Sequence, residues 1–174
     1  MNWVISIWDI LWEVLGWVQI CHFIDPWEEG IVTRWGNYHR NVGPGIAWHL
    51  PCELEAITVL NVKPTAMELE AQSCLTADDI KVVARAVLMW GVFDIRRALV
   101  DVENVAETLG DIAVGVIHEQ IQRQDWEYVR TPAFRADVKR AIQREARKWG
   151  ISVPKVKFQD LTTAESYRLF GGVT

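Results

Sequence analysis

The chain has 174 residues and a formal net charge of -5, from 18 basic and 23 acidic side chains. This length suits one domain with a core plus an appendage, and the acidic balance argues against nucleic acid as a partner, because such binders neutralise phosphates. The three cysteines, Cys21, Cys52 and Cys74, share no C-x-x-C spacing. They predict neither a disulfide framework nor a zinc site, and reduced thiols in a cytosol-facing domain are expected.

The first segment, residues 1–25, is predicted to form an apolar membrane-associated helix. Its polar or small residues recur at spacings of four and three, which puts them on one narrow stripe: Asn2, Ser6, Asp9, Glu13 and Gly16. The side chains expected to contact lipid cover the rest of the helix and include Trp3, Val4, Ile7, Trp8, Leu11, Trp12, Leu15 and Val18. The two acids and the lack of an early lysine or arginine argue against a cleaved secretory signal.

The energetics of this helix leave its placement open. A helix from residue 3 to 24 rises about 33 Å, enough to cross a hydrocarbon core of about 30 Å. Two carboxylates cost roughly 5 to 7 kcal/mol on insertion, which about sixteen apolar residues recover. Three arrangements remain: a helix in the membrane plane with its stripe toward water, a spanning helix whose Asp9 and Glu13 face neighbouring copies, and a helix buried in a soluble assembly.

Strand patterns follow Pro26, which ends the predicted helix. A β-rich run from residue 28 leads to a Gly36-Asn37 turn, and a second turn lies at 43–45. Residues 56–62 and 66–74 continue the strand texture, the latter with period two. The run 80–93 then predicts a long, half-buried antiparallel strand. Its inward face is predicted to carry Ile80, Val82, Ala84, Ala86, Leu88 and Trp90.

Helical periodicity begins near residue 94 and predicts helices within 94–102, 104–124 and 131–150. The third helix starts with Thr131 as N-cap and stops at Gly150. Its predicted inward residues are Phe134, Val138, Ile142 and Trp149. Its outer face is basic, and the residues expected to face other copies are Arg140, Arg144 and Arg147, alongside Asp9 and Glu13 of the first segment. A solvated face is the alternative; the candidate acidic partner is the stretch 53–79, with six acids and one lysine.

The end of the chain is predicted to hold a strand over 151–161 and a short helical tail over 162–174. A capping box, Thr162-x-x-Glu165, would open the tail helix. The resulting organisation is α+β: an antiparallel sheet, then helices and a closing strand, with the membrane helix in front.

This layout resembles the SPFH or Band 7 superfamily, which includes stomatin, prohibitin, flotillin and HflK/HflC. The resemblance is carried by short motifs in a fixed order along residues 27–161. They are Glu29-Gly30-Ile31-Val32 with Arg34 and Gly36, Gly43-Pro44-Gly45 running to Leu50-Pro51, Leu75-Thr76-Ala77-Asp78, Val92-Phe93-Asp94, and Trp149-Gly150-Ile151 leading to Asp160-Leu161. Many relatives read Lys-Asp-Gly after the threonine, where this chain has Ala77-Asp78-Asp79.

The resemblance implies a non-enzymatic scaffold that contacts membrane lipid, lies on the cytoplasmic side and assembles with itself into rings or cages. Relatives of this kind often partner membrane-embedded proteases, so the alternative is a peripheral adaptor or inhibitor of such a protease. Relatives usually continue into a long coiled coil, whereas here about thirteen residues follow Leu161. A wall of coiled coil is therefore not expected, and so short a version would suit a compact genome such as a phage's.

No catalytic, cofactor or metal site is predicted. The string His118-Glu119-Gln120-Ile121-Gln122 resembles the zincin motif but has glutamine in place of the second histidine, and one histidine does not hold a catalytic zinc. The glycines at 43 and 45 lack the lysine and following helix of a phosphate loop. Cys21 is the thiol best placed for acylation, because it ends the apolar segment.

Overall fold

The computed structural model describes residues 21–50 and 54–163. Strands come first, helices follow and a strand closes the described part, which confirms the predicted α+β order. The elements are β1 (Cys21–Ile24), β2 (Glu28–Arg34), β3 (Asn37–Val42), β4 (Gly45–Trp48), β5 (Glu55–Asn61), β6 (Thr65–Glu68), β7 (Gln72–Leu75), β8 (Lys81–Val92), α1 (Ile95–Val100), α2 (Val105–Gln122), α3 (Trp126–Val129), α4 (Pro132–Lys148) and β9 (Ile151–Thr163).

The chain divides into two compact units. Unit 1 takes the described residues up to 63 together with 94–103, and so holds β1–β5 and α1. Unit 2 takes 64–93 and the residues from 104 onward, and so holds β6–β9 and α2–α4. Neither unit is one continuous stretch of chain.

Unit 1 contains two small antiparallel sheets. β1 pairs with β4 as a two-stranded ribbon, and β2 lies between β3 and β5. The members of its core are Ile24, Val32, Val42 and Ala47, with Ile57 and Val59 packed against them. Gly30 is required on β2, because a Cβ there would come within 2.5 Å of the Thr58 carbonyl oxygen on β5.

Unit 2 is organised around the long strand β8. β6 and β7 pair with successive stretches of β8, and β9 also pairs antiparallel with it. Val82, Ala84, Ala86 and Leu88 are buried as predicted, while the interleaved Lys81 and Arg85 are exposed. Ile80, which directly precedes the strand, and Trp90 are only half-buried.

Helix α4 begins and ends where the sequence indicates. The Thr131 hydroxyl oxygen accepts a hydrogen bond from the Phe134 amide at 3.4 Å, and Pro132 fills the first turn. Phe134, Val138 and Ile142 are fully buried as predicted. The fourth inward position belongs to Ala146, since Trp149 is the C-cap and stays half exposed.

Two expected boundaries are wrong. The first helix was expected to reach residue 25, but Cys21–Ile24 form β1, whose backbone groups pair with Gly45–Trp48. The tail was expected to leave the sheet at residue 162, but β9 continues to Thr163, which pairs with Val82. Residues 1–20 and 164–174, with the rest of both predicted helices, lie outside the described residues. Across residues 21–50 and 54–163, no helix is both long and apolar enough to cross a bilayer.

Candidate membrane and assembly surfaces

The β1–β4 ribbon presents an uncovered apolar face. Phe23 lies opposite Ile46 and Cys21 opposite Trp48 in the antiparallel register. Because side chains alternate along a strand, these four share one face while Ile24 and Ala47 enter the core on the other. Phe23, Ile46 and Trp48 keep 74%, 57% and 64% of their surface exposed. We call this surface the ribbon face; its first residue, Cys21, follows the apolar residues 1–20 in the sequence.

A second exposed apolar group, the hairpin tip, consists of Trp35, Leu50 and Leu54. Trp35 is the first residue of the two-residue loop between β2 and β3 and is 76% exposed. Its amide donates to the Leu54 carbonyl oxygen at 3.2 Å. Its φ of 50° lies in the left-handed region, which disfavours a bulky side chain. Leu50 follows the ribbon face by two residues, so the two surfaces are joined through the chain.

The carboxylate of Glu55 ties these apolar residues together. It accepts hydrogen bonds from the Leu50 amide at 2.9 Å and from Arg34 Nη2 at 2.6 Å, and its side chain is 4% exposed. The Leu50 hydrogen bond and the Arg34 guanidinium hold the pKa of Glu55 below its usual range. We call these contacts of Glu55 with Leu50 and Arg34 the latch; because Glu55 begins β5 and reaches back five residues, the latch holds Leu50, two residues beyond β4.

The described cysteines have different environments. Cys21 is exposed on the ribbon face, so the proposed acylation site is accessible. Cys74 is buried in β7, and burial raises the pKa of its thiol, which disfavours the reactive thiolate. Cys52 lies outside the described residues.

The basic stripe of α4 consists of Arg140, Arg144 and Arg147, all exposed. At about 100° per residue they lie within roughly 60° of one another, opposite the buried Val138 and Ile142. Arg140 pairs with Asp137, whose pKa is lowered by the hydrogen bond from the Tyr128 hydroxyl and by Arg140. Within residues 21–50 and 54–163, Arg144 and Arg147 form no ion pair with a carboxylate. Their contact with other copies stays a prediction.

The other predicted site residues lie outside the described residues. These are the acids Asp9 and Glu13 and the lipid-facing set, Trp3, Val4, Ile7, Trp8, Leu11, Trp12, Leu15 and Val18. His118 is half-buried on α2. Among the residues that the structure describes, no three His, Cys, Asp or Glu side chains are grouped to hold a metal ion.

Comparison with protein families shows which family this chain belongs to. A family model described as "SPFH domain / Band 7 family" matches residues 22–168, which is most of the chain. The chain belongs to the SPFH domain / Band 7 family. At the level of the family, membership implies a membrane-associated scaffold role without catalysis.

Individual relatives of this SPFH chain are distant. An uncharacterised protein of Archaeoglobus fulgidus is 24% identical over 157 residues, which cover 89% of this chain and 63% of that protein. Stomatin-like protein stl-1 of Caenorhabditis elegans is 22% identical over 82% of this chain and 44% of its own length. The mitochondrial stomatin-like protein 2 of Rattus norvegicus is 23% identical over 80% of this chain and 40% of its own length. The chain thus spans less than two thirds of each of these three relatives.

The structure of this SPFH domain explains the Thr76-Ala77-Asp78-Asp79 turn and its difference from the Lys-Asp-Gly sequence of many relatives. The Asp78 carboxylate accepts hydrogen bonds from the Trp126 amide at 3.2 and 3.3 Å, and the Ala77 amide donates to Gln124 at 3.0 Å. These bonds tie the β7–β8 turn to the start of α3. Asp79 has a φ of 58°, a conformation that glycine adopts at no steric cost. Glycine in many relatives therefore fits this turn, and aspartate tolerates it.

Sequence reasoning missed the ribbon face and the hairpin tip. The sequence predicts Phe23 within the first helix, and it indicates no role for Ile46, Trp48 or Trp35. The sequence predicts the turn at Gly36-Asn37, but Asn37 pairs with Arg34 and the loop is Trp35–Gly36, one residue earlier, which is why Trp35 does not stand out in the sequence. The exposure of the ribbon face depends on the pairing of residues 21 and 48, which no local pattern reveals.

Proposed function

We propose that this protein is a non-enzymatic membrane scaffold, lying on the cytoplasmic side, whose ribbon face and hairpin tip contact lipid and whose copies assemble side by side. The observation that carries the proposal is the ribbon face. Large apolar patches are rare on soluble monomers and mark interaction surfaces. Phe23 and Trp48 form such a surface, β1 follows the apolar residues 1–20 in the sequence, and tryptophan favours the level of lipid headgroups.

The exposed area is large enough to matter energetically. Aromatic side chains offer about 150–250 Å² each, so the exposures of 74% and 64% leave roughly 280 Å² on Phe23 and Trp48. At about 25 cal/mol per Å², complete removal of that area from water is worth about 7 kcal/mol. Removal of half of this area from water would favour contact of the ribbon face with a bilayer by about 3.5 kcal/mol.

A spin label tests the lipid contact in the full chain. We would place a nitroxide at Ile46→Cys on the ribbon face and, as a control, at Val100→Cys, which is comparably exposed on α1. Cys21 and Cys52 are replaced by serine. In vesicles of phosphatidylethanolamine and phosphatidylglycerol, we expect the label at residue 46 to become accessible to oxygen and shielded from an aqueous nickel chelate. Equal nickel access at both positions would refute the contact.

Particle size tests the scaffold role separately. Light scattering of the detergent-extracted protein should give a mass of many copies. A single copy bound to a foreign protein would instead support an adaptor of a membrane protease, and a free single copy would overturn both readings.

A further inference from the structure

Unit 2 contains an acidic groove between the β6–β7 segment and α2. Its volume is about 490 Å³. Met67 and Val114 give it apolar walls, and four carboxylates line it: Glu68 and Glu70 from the strand side, Glu107 and Asp111 from the helix. Of the residues that the structure describes, no lysine or arginine lines it. The groove therefore combines an apolar surface with a strong negative potential.

Two of the four carboxylates are compensated locally. Glu68 pairs with Arg85 at 2.9 Å, and Glu107 accepts a hydrogen bond from Asn104 at 3.1 Å. Glu70 and Asp111 form no hydrogen bond or ion pair within the described ranges 21–50 and 54–163. The groove thus offers two unpaired negative charges beside apolar side chains.

The basic stripe of α4 is chemically complementary to this groove. An arginine carries an apolar stem that can cover Met67 and Val114, and a planar guanidinium that binds a carboxylate through two hydrogen bonds. Arg144 and Arg147 have no carboxylate partner in the described part of their own chain. The stripe also projects from a capped helix whose opposite face is fully buried, so its side chains stand on a rigid base.

We propose that the basic stripe of one copy docks into the acidic groove of the next copy. This inference rests on the proposed self-assembly and names the surfaces that meet. A second copy is favoured over a foreign basic partner because the same unit supplies both surfaces. Copies with a net charge of -5 repel one another in general, so association needs a place where opposite charges meet.

The contact is heterologous, since it joins two different surfaces. Each copy then offers one groove and one stripe, and successive copies add in one direction. Such a contact generates a closed ring when the rotation between copies closes, and an open filament when it does not.

Charge reversal tests the pairing in the full chain. We expect the stripe variant R144E/R147E and the groove variant E70K/D111K each to reduce the particle to the mass of one copy. A mixture of the two variants should regain a large particle with both in equal amounts, because each then carries the surface that the other needs. All four positions are exposed, so circular dichroism should show unchanged folding.

The matched control is K155E/K157E on β9, where two exposed lysines undergo the same change of charge as the stripe variant. We expect this control to assemble like the wild type. The docking is overturned if either reversal leaves the particle size unchanged, if the mixture stays at single copies, or if the control also dissociates. A wild-type protein that is itself a single copy would instead contradict the proposed self-assembly.

Discussion

The left-handed backbone of Trp35 leads to a prediction about stability. Two replacements at this position distinguish the cost of backbone strain from the loss of side-chain contacts. We consider two replacements, Trp35→Asn and Trp35→Ala. Both remove the indole, but asparagine tolerates the φ of 50° whereas alanine does not. The loop Trp35–Gly36 joins paired Arg34 and Asn37, and Asn-Gly is the preferred sequence for such a two-residue hairpin.

The magnitude follows from two opposing terms. Trp35 is 76% exposed, so its side chain buries roughly 60 Å². Removal of this buried area lowers the free energy of unfolding by about 1.5 kcal/mol in either variant. The left-handed conformation costs an ordinary residue about 1–2 kcal/mol, and asparagine recovers most of that. The Asn variant should therefore unfold near the wild-type free energy, and the Ala variant about 1 kcal/mol below the Asn variant.

Urea unfolding followed by circular dichroism measures this difference directly. The pair is its own control, because the two variants lose the same side-chain contacts and differ only in backbone tolerance. Both should show the same weakened binding to vesicles, since neither retains the indole. If the Ala variant is as stable as the Asn variant, the left-handed turn stores no strain and the reasoning fails.

Two further predictions concern the latch and the core. The folded state favours the Glu55 carboxylate, so its contribution to stability is present above the ordinary pKa of 4.5 and is lost as pH falls through the lowered pKa. Glu55→Gln should lower the melting temperature at pH 7, and calorimetry should show the two proteins converging in acid; a difference that persists would exclude the ionised latch. Phe134 is fully buried, with its ring centroid 6.1 Å from that of Phe158, so Phe134→Ala should lower the free energy of unfolding by about 3–5 kcal/mol. A loss under about 1 kcal/mol in urea would mean that the site collapses without a cavity.

The elements that local pattern determines could be predicted. β8 alternates buried side chains with half-buried or exposed ones along Val82–Leu88, and α4 carries a threonine cap, a first-turn proline and a four-residue apolar repeat. In both cases the deciding information lies within a dozen neighbouring residues. The order of these elements also supported the family resemblance, which the family comparison confirms.

The residues that were misplaced depend on distant partners. Phe23 and Ile24 continue an apolar run whose pattern predicts a helix. They form a strand because β1 pairs with residues 45–48. The groove likewise forms where Glu70 and Asp111 approach from separate elements. The sequence indicates the acidic stretch and the basic helix. It does not show that Glu107 and Asp111 of α2 line the same groove as the acidic stretch.

The division of the chain into interleaved units constrains how it folds. Residues 94–103 belong to unit 1 but interrupt unit 2, and α1 packs on β2, β3 and β5. As the chain emerges from the ribosome, unit 1 stays incomplete until those residues appear, by which time β6, β7 and β8 are already made. Unit 2 waits longer still, because β9, the last described strand, pairs along most of β8. Unit 1 can therefore close before unit 2 does, and a truncation before residue 151 would leave β8 without one of its neighbours.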